Sequence, residues 1–527
     1  MSENIIPFKP QTEKFLEKHR PITQKMDLQT LYMVNPAYKF KDDYNNVIIT
    51  NNNPARYDAD RYREDITHGF AWRLHPDLAV LFGFFDGTLP LDEAAKLFCL
   101  QHGTSREKFL GTVKPCICNE EPVMIPTDDN QWVTIPKNFL IPNTNGIPRE
   151  KMLADINIPF IRNNYNLSET RLNVPNSMTL MLNTSCTTDC VYCYADRRFV
   201  KNPLPFPRLL ELLKEAYLLG MPYVDVNGGE FFLYPHWREL LAEMRKYDYV
   251  PLISTKHPLS EKAVAELKYL NIKNIQLSID SVNNDELRQM LHVENGYLEK
   301  VLEGLRLLDK SGIEVTVRSV LTRHNDTEQS LNKTIDVLTS FRNVTHIDFT
   351  PAEFSRFKSS DRYFSTQPQL ARLRAVLEER GQDCTASLSF KGYEEPQTVA
   401  QRVEDFPSRR MCTGNVQGFF VLPDGKATYC ERLYWHPFFI LGDLTQQSIM
   451  EMWSSKRALA RWNFSQEEVR SESPCKTCDE FEKCRRGLGN CWRLAVDAYG
   501  DGNYDYPAPN CPKALPPNKD YYIPYTL

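Results

Sequence analysis

Ten of the fourteen cysteines of this chain lie in two regions, and this clustering constrains the fold more than any other feature. Three of them share one loop with spacings of three and two residues: Cys186, Cys190 and Cys193. Seven more occupy the C-terminal region: Cys412, Cys430, Cys475, Cys478, Cys484, Cys491 and Cys511. A chain of 527 residues with 42% hydrophobic residues can build a core without disulfides, so we expect these thiols to serve metal or redox chemistry. We interpret the other four as ordinary thiols: Cys99, Cys116, Cys118 and Cys384.

Length and charge narrow the class of protein further. A chain of this length is too long for one ordinary core and predicts two to four domains. The mean hydropathy of -0.47 and the lack of a long apolar run argue against a membrane protein. The N-terminus shows no secretory pattern, so we expect a cytoplasmic protein. The net charge of -5 disfavours a general nucleic-acid partner.

The cysteine triplet favours an iron–sulfur cluster over zinc. Three thiolates from one loop can bind three irons of a cubane cluster and leave the fourth iron free for another ligand. The alternative is a zinc loop, which usually needs four protein ligands. The nearest further ligand candidate, His236, lies far along the chain.

The middle of the chain alternates short apolar strands with longer amphipathic helices, which predicts βαβ units and a parallel sheet. We predict six strands, at residues 178–182, 223–226, 250–254, 275–279, 313–321 and 346–350.

The triplet, together with the segment Asn227-Gly228-Gly229-Glu230, resembles the signature of the radical SAM superfamily. The resemblance implies an α/β fold with a partial (β/α)6 TIM barrel, and a [4Fe-4S] cluster on the triplet that cleaves S-adenosylmethionine (SAM) to a 5′-deoxyadenosyl radical. It also implies SAM contacts at the carboxyl ends of the strands: Tyr192, Gly228, Gly229, Glu230, Ser254, Ser278 and Arg318. For Ser254, Ser278 and Arg318, the alternative is a polar residue that is satisfied within the chain.

The seven C-terminal cysteines resemble the SPASM domain, which carries two auxiliary iron–sulfur clusters and would bring the total to three [4Fe-4S] clusters. By this resemblance, Cys475, Cys478, Cys484 and Cys511 bind the outer cluster, and Cys412, Cys430 and Cys491 bind the inner one. The inner cluster then lacks a fourth cysteine, so either another residue completes it or one iron is open. The alternative is a zinc ribbon.

Glu431, directly after Cys430, is the candidate catalytic base, because sulfatase-maturing relatives carry a carboxylate at this point. The alternative is a surface carboxylate paired with Arg432 or another cation.

The N-terminal third predicts strands at 46–50 and 69–74, followed by helices at 76–84, 91–101 and 105–113. This order predicts a winged-helix-like unit and resembles the RiPP recognition element, which binds the leader of a precursor peptide as an added strand. The alternatives are a packing module or a DNA-binding winged helix, and the acidic residues in 58–65 argue against DNA.

The predicted organisation is an N-terminal arm (1–40), the winged-helix-like unit (41–115), an irregular linker (116–175), the barrel (176–351), a bridge (352–410), the SPASM domain (411–515) and a tail (516–527).

The resemblances together imply an oxidoreductase that modifies a ribosomally made precursor peptide, most readily by an intrapeptide C–C or thioether crosslink. A flavodoxin or ferredoxin would supply electrons. The alternatives are a sulfatase-maturase-like oxidation of a Ser or Cys in a protein substrate, and a non-catalytic peptide-binding partner.

Overall fold

The computed structural model describes residues 26–52, 66–67, 69–127, 131–146, 148–150, 152–154, 156–358, 363–391, 401, 404–406, 409 and 412–517, with only the backbone for 486–488. Most of the predicted arm, the acidic segment at 58–65, part of the predicted bridge and most of the predicted tail lie outside these residues. The chain divides into two compact units, Met1–Asn176 and Ser177–Leu527. No helix in the described ranges is long and apolar enough to cross a membrane.

Among its described residues, the first unit contains short antiparallel sheets and four α-helices around one core. Its strands are β1 Leu31–Val34, β2 Tyr38–Asp42, β3 Val47–Asn51, β4 Ala71–Leu74, β5 Asp86–Pro90, β6 Val123–Pro126, β7 Trp132–Ile135 and β8 Leu140–Pro142. Its helices are α1 Pro76–Gly83, α2 Leu91–His102, α3 Arg106–Val113 and α4 Ile158–Asn164. The sheets have the strand orders β2-β3-β4, β5-β1-β8 and β6-β7.

The two strands and three helices predicted for this unit are confirmed as β3, β4 and α1–α3, with ends displaced by no more than a few residues. Local sequence explains the helix boundaries. The Ser105 hydroxyl caps α3 by accepting a hydrogen bond from the Lys108 amide at 3.1 Å. Gly103 ends α2 in the left-handed conformation, with φ of 64°.

Two predictions for this unit are wrong. The predicted arm (1–40) contains β1 and most of β2, and the predicted irregular linker (116–175) contains β6, β7, β8 and α4. Side chains from the predicted linker are buried in the core of the unit: Cys116, Ile117, Ile125, Val133, Ile135, Phe139, Leu140, Ile158 and Ile161. The strands were missed because each has only three to five residues and turn-forming Pro and Asn residues lie between them.

The second unit is built on the six predicted parallel strands, with a helix after each of the first five. The strands are β9 Ser177–Met181, β10 Tyr223–Asn227, β11 Ser254–Thr255, β12 Asn274–Ser278, β13 Glu314–Leu321 and β14 Val344–Pro351. The helices are α5 Phe206–Leu218, α6 Trp237–Lys246, α7 Glu261–Tyr269, α8 Asn284–Leu291, α9 Tyr297–Ser311 and α10 Glu328–Thr339. The α/β partial barrel is therefore confirmed.

β11 is shorter than predicted. The prediction began at residue 250, but the ladder with β12 pairs only Ser254 and Thr255. Pro251 has no backbone N–H and cannot donate to a ladder, which explains the late start.

Segments from both flanking regions extend the parallel array. After α11 Gln367–Arg380, β15 Ser387–Phe390 pairs in parallel with β14. β16 Gly418–Val421, from the C-terminal cysteine region, pairs in parallel with β9. The antiparallel strands β17 Lys426–Thr428 and β18 Ile440–Asp443 follow, and then helices α12 Ile449–Trp453, α13 Lys456–Trp462 and α14 Trp492–Tyr499. The barrel strands β9 and β10 thus share a sheet with β16, β17 and β18, whereas the other four barrel strands form a second sheet with β15.

Side chains alternate along the barrel strands, as expected for a sheet with one face against helices. On β13 and β14, Val317 and Ile347 belong to the hydrophobic core. Their neighbours Arg318 and Asp348 are paired across the ladder and face the other side. This alternation places polar residues on the inner face of the barrel.

Candidate functional site

The cysteine triplet lies on the loop that follows β9, and this loop is hydrogen-bonded to the C-terminal end of α8. The Asp189 and Val191 amides donate to the Leu291 and Met290 carbonyls, both at 2.9 Å. Cys190 is buried, whereas Cys186 and Cys193 are partly exposed. Burial raises the pKa of the Cys190 thiol to about 11. The loop therefore presents three thiols at the carboxyl end of the barrel strands, as predicted.

The glycine pair packs directly against the start of this loop. The Gly229 amide donates to Asn183 O at 2.7 Å, and the Glu230 amide donates to Ser185 O at 2.6 Å. A Cβ on Gly229 would lie 1.9 Å from Ser185 O, and one on Gly228, whose φ is +123°, would lie 2.7 Å from Asn183 O. Neither position tolerates a side chain, so the two motifs form one continuous site.

Glu230 is buried, and its carboxylate binds groups of its own chain. Oε1 accepts hydrogen bonds from the Thr255 hydroxyl at 2.6 Å and the Phe232 amide at 3.2 Å. Oε2 accepts from the Lys256 amide at 3.1 Å. Glu230 therefore ties the end of β10 to the end of β11, a role that the sequence did not indicate.

The predicted strand-end contacts share one hydrogen-bonded row on the inner face. Ser254 Oγ donates to Gln276 Oε1 at 2.5 Å, and Gln276 Nε2 donates to Ser278 Oγ at 2.9 Å. Ser278 is paired with Arg318 in the ladder between β12 and β13. The structure thus brings all three predicted residues together through Gln276, which sequence reasoning missed.

Arg318 belongs to a charged cluster at the far end of this row. Its Nε lies 3.5 Å from Asp348 Oδ2, and half of its side chain is exposed. Lys391 Nζ also contacts Asp348 Oδ2, at 2.7 Å, and His346 Nε2 lies 2.9 Å from Asp348 Oδ1. Burial raises the pKa of Asp348, but hydrogen bonds from Lys391 and Ser389 outweigh it, so the pKa is lowered overall.

Tyr192 joins a second charged cluster next to the cysteine loop. Its hydroxyl donates to Asp280 Oδ2 at 2.5 Å, and Lys256 Nζ donates to the same oxygen at 2.8 Å. Asp280 is 2% exposed, and its Oδ1 accepts from the Val320 amide at 2.9 Å. Sequence reasoning assigned no role to Lys256, although it directly follows the predicted contact region at the end of β11.

Glu431 lies beside the glycine motif. The Asn227 side-chain amide donates to Glu431 Oε2, and Asn227 Oδ1 accepts from the Gly228 amide at 2.8 Å. Burial raises the pKa of Glu431, against the charge of Arg493 and the hydrogen bond from Asn227. The alternative pairing with Arg432 is not observed, because Arg432 forms its ion pair with Glu353.

The seven C-terminal cysteines separate into the two expected groups. We call Cys475, Cys478, Cys484 and Cys511 the outer thiols, and Cys412, Cys430 and Cys491 the inner thiols. Burial raises the pKa of Cys511, and the other three outer thiols raise it further. Burial raises the pKa of Cys412 to about 11 and of Cys430 to about 12, and in each case inner thiols add to the rise. Each group is therefore close enough in space for its members to interact.

The surroundings of the outer thiols fit an anionic cluster. Three basic side chains each donate to one outer thiol: Arg409 to Cys484 at 2.9 Å, Arg485 to Cys475 at 3.5 Å, and Lys513 to Cys478 at 3.5 Å. Within the described residues, no three His, Cys, Asp or Glu side chains converge closely enough to hold one metal ion. Cubane ligands bind different irons, so they do not need to converge in this way.

Comparisons with known families agree with this geometry. Residues 181–338 match the radical SAM superfamily, and residues 412–479 match the SPASM iron-sulfur cluster-binding domain. The chain carries a radical SAM domain and a SPASM domain.

Curated relatives of this chain include two cyclases. The PqqA peptide cyclase of Granulibacter bethesdensis is 22% identical over 348 residues, which cover 63% of this chain and 87% of the relative. The GTP 3′,8-cyclase of Clostridium botulinum is 22% identical over 236 residues, which cover 42% of this chain and 72% of the relative.

Solved structures of one protein resemble nearly the whole chain. One of them is Streptococcus suis SuiB bound to the precursor peptide SuiA, with a TM-score of 0.59 and 12% identity. The match covers 91% of this chain and 99% of SuiB. At this identity the match shows a shared fold, which includes an N-terminal extension before the radical SAM domain.

Proposed function

We propose that this radical SAM enzyme modifies a ribosomally made precursor peptide and forms an intrapeptide crosslink, either C–C or thioether. The observation that carries the proposal is the joining of the cysteine loop to the glycine motif and, through Asn227, to Glu431. Glu431 would then be a proton acceptor next to the proposed cofactor site. Two relatives support a peptide substrate: one is named a peptide cyclase, and the other was solved with its precursor peptide.

Cys186, Cys190 and Cys193 would hold the [4Fe-4S] cluster that binds SAM. When bound, SAM and the reduced cluster supply a 5′-deoxyadenosyl radical that can abstract hydrogen from a carbon of the peptide. Gly228 and Gly229 let the backbone approach the cofactor, and Tyr192, Glu230, Ser254, Ser278 and Arg318 would complete the SAM site. Loss of a peptide proton needs an acceptor, and Glu431 would serve as this base, held in place by the Asn227 amide.

The inner and outer thiols would hold two auxiliary [4Fe-4S] clusters, which gives three clusters in the chain. Crosslink formation removes two hydrogens from the peptide, so one electron beyond the abstracted hydrogen atom must leave the substrate. The inner thiols, one of which directly precedes Glu431 in the chain, would hold a cluster that could supply the electron acceptor. A flavodoxin or ferredoxin would supply the reducing electron, in a cytoplasmic setting with no membrane or nucleic-acid partner.

The first unit would bind the leader of the precursor peptide. β4 is an edge strand, because β3 is its only partner strand among the described residues. Trp72 on β4 is 47% exposed. An added peptide strand would gain backbone hydrogen bonds along this edge and apolar contact with the Trp72 ring.

Co-expression with short peptides encoded by neighbouring reading frames tests the proposal. Mass spectrometry should show loss of two hydrogens from one peptide, and none with the triple variant Cys186→Ala, Cys190→Ala and Cys193→Ala. Trp72→Asp should weaken modification of the full peptide, whereas Leu100→Asp, which changes another exposed apolar residue of the first unit, should not.

The sulfatase-maturase-like alternative predicts a different pattern. Oxidation of one Ser or Cys would not depend on a leader, so Trp72→Asp would leave it unchanged. A non-catalytic partner would produce no mass change and no 5′-deoxyadenosine. Leader recognition requires the whole first unit, so a truncation test must begin at residue 177, because a cut at 115 would divide the core of that unit.

A further inference from the structure

The second unit contains a cleft of about 590 Å³ that none of the roles described above uses. One wall is the segment 198–205, which follows the cysteine loop. The other wall is formed by the β16–β17 turn, Trp435 and the end of β18. Ligand sites in proteins span roughly 300–1,000 Å³, so the cleft is large enough for one or more side chains of a peptide.

The cleft lies at the edge of the barrel that carries the cysteine loop. β16 runs parallel to β9, and Val421 is paired with Leu180. The turn after β16 therefore emerges at the same edge as the loop after β9. The Leu204 amide donates to Pro423 O of this turn at 2.8 Å, which joins the two walls.

Both walls are continuous in the chain with the candidate site. Arg198 lies five residues after Cys193, and its carbonyl accepts a hydrogen bond at 2.9 Å from the hydroxyl of Thr184, at the start of the cysteine loop. Trp435 lies four residues after Glu431, the proposed base. An extended peptide that presents a carbon to the cofactor can therefore continue into this cleft.

The charged groups of the cleft largely neutralise one another. The Arg198 guanidinium pairs with Asp196, with Nε 2.8 Å from Oδ2. Lys426 Nζ pairs with Asp424 Oδ2 at 2.6 Å. The two other charged groups in the lining, one ammonium and one carboxylate, are also opposite in sign. The lining therefore has no excess of charge that would select a strongly acidic or strongly basic partner.

Aromatic and proline side chains supply the apolar surface of the cleft. Trp435 Nε1 donates to Asp424 Oδ2 at 2.9 Å, and the Arg198 guanidinium lies 4.6 Å from the centre of the indole ring, so the ring is held from two sides. Phe199, in contrast, is 89% exposed at the cleft. Two prolines of the first wall complete this surface. A fixed indole, prolines and an exposed ring suit an apolar side chain of an extended peptide.

We propose that this cleft binds an aromatic side chain of the precursor peptide, at a position close in the peptide to the residue that is modified. The inference rests on the proposed function for the identity of the ligand as a peptide. Phe199 and Trp435 contact the bound ring, because paired aromatic rings gain stability beyond that of burial alone. An acidic electron-transfer protein is the competing occupant, and the balanced charges of the cleft disfavour it.

The first test measures binding of capped pentapeptides, acetyl-Gly-Gly-X-Gly-Gly-amide, in which X is Trp, Ala or Asp. Dissociation constants come from NMR titration of each peptide with the anaerobically reconstituted full chain. The Trp peptide should bind about 10-fold or more tightly than the Ala peptide, the effect of burying one large apolar side chain. Phe199→Ser should reduce this preference by about 3-fold or more.

Two control variants accompany Phe199→Ser. Phe199→Tyr keeps the ring and should keep the preference. Tyr269→Ser removes an aromatic residue that is 84% exposed and should behave like the unaltered protein. Tyr269 ends α7, which runs back from β11 to the opposite edge of the barrel. Phe199 is exposed, so its replacement is not expected to disturb folding.

The second test separates the peptide from the electron-transfer protein. The precursor found by co-expression is modified in vitro, with electrons supplied either by flavodoxin and its reductase or by dithionite. Phe199→Ser should lower the rate of modification with both reductants, because the contact that is lost is made by the peptide. A decrease with flavodoxin alone would assign the cleft to the electron-transfer protein and overturn the proposal.

Three results of the first test would also overturn the proposal. They are equal binding of the Trp and Ala peptides by the unaltered chain, an unchanged preference in Phe199→Ser, and tightest binding of the Asp peptide. Pentapeptide binding needs neither a leader nor turnover. It therefore decides the role of the cleft even where no precursor is modified, a result that would refute the proposed function alone.

Discussion

Replacement of Gly229 by alanine is expected to separate the glycine motif from the cysteine loop. The new Cβ would lie 1.9 Å from Ser185 O and 2.6 Å from Asn183 Oδ1. Cβ atoms essentially never come closer than 3.0 Å to another heavy atom, so the Ser185 carbonyl, a backbone group, must retreat by more than 1 Å. Cys186 follows Ser185 directly, and the displacement therefore reaches the first predicted cluster ligand.

The cost follows from two contributions. Overpacking of this kind costs about 1–3 kcal/mol. The hydrogen bonds from the Gly229 and Glu230 amides to Asn183 O and Ser185 O contribute about 1 kcal/mol each and would be strained or lost. The free energy of unfolding of the second unit should therefore fall by about 2–5 kcal/mol, unless the loop moves as a whole.

The assay combines urea unfolding, iron analysis and SAM binding on anaerobically reconstituted protein. Because the loop is the part that must move, Gly229→Ala should lose about four irons per chain, one cubane cluster, and bind SAM more weakly. The matched control is Gly502→Ala, whose Cβ would meet nothing within 4 Å. Full iron content and unchanged SAM affinity in Gly229→Ala would refute the reasoning.

Three further predictions concern charged groups. Lys513→Met removes a cation that donates to an outer thiol, so redox titration followed by EPR should show a lower midpoint potential for one auxiliary cluster. The control Lys483→Met removes an ammonium that pairs with a glutamate and should leave the midpoint potential unchanged. Asp280→Asn leaves the largely buried Lys256 ammonium unpaired and should lower the free energy of unfolding, measured with urea, by about 3–5 kcal/mol. The control Asp285→Asn changes an exposed carboxylate and should alter the same free energy by under about 0.5 kcal/mol. Burial lowers the pKa of Lys41 from 10.5 to about 7, so between these pH values the unfolded chain binds one more proton than the folded chain. The free energy of unfolding of the first unit should therefore increase as the pH rises from about 7 to 10.5. Lys41→Met should abolish this increase.

The sequence predicted the elements that depend on long periodic patterns. The six barrel strands and the helices between them follow from the regular alternation of short apolar segments with longer amphipathic ones, and the structure has all of them. The predicted strand boundary is wrong where a single residue interrupts an apolar segment. Pro251 removes a ladder donor and leaves β11 with two residues, although the apolar run around it is longer.

The spacing of the cysteines and glycines along the chain predicted where the candidate site lies, but it did not predict the side-chain contacts within that site. The three thiols of the cysteine triplet come together because they share one short loop, whereas the inner and outer thiols come from segments far apart in the chain, so their grouping followed only from the family resemblance. The Glu230 contacts to Thr255 and Lys256 join different βα units, and no local pattern indicates such a contact. The same holds for Lys256, whose ammonium donates to Asp280, an acceptor that it shares with Tyr192 from another segment.

The central claim is that the thiols of Cys186, Cys190 and Cys193 hold an iron–sulfur cluster with one iron open to SAM. EPR spectroscopy of the reduced, anaerobically purified chain tests it most directly, with and without added SAM. The account predicts a [4Fe-4S] signal that changes when SAM is added and that disappears when all three cysteines are replaced by alanine. Protein that contains zinc in place of iron, or a signal that SAM leaves unchanged, would contradict it.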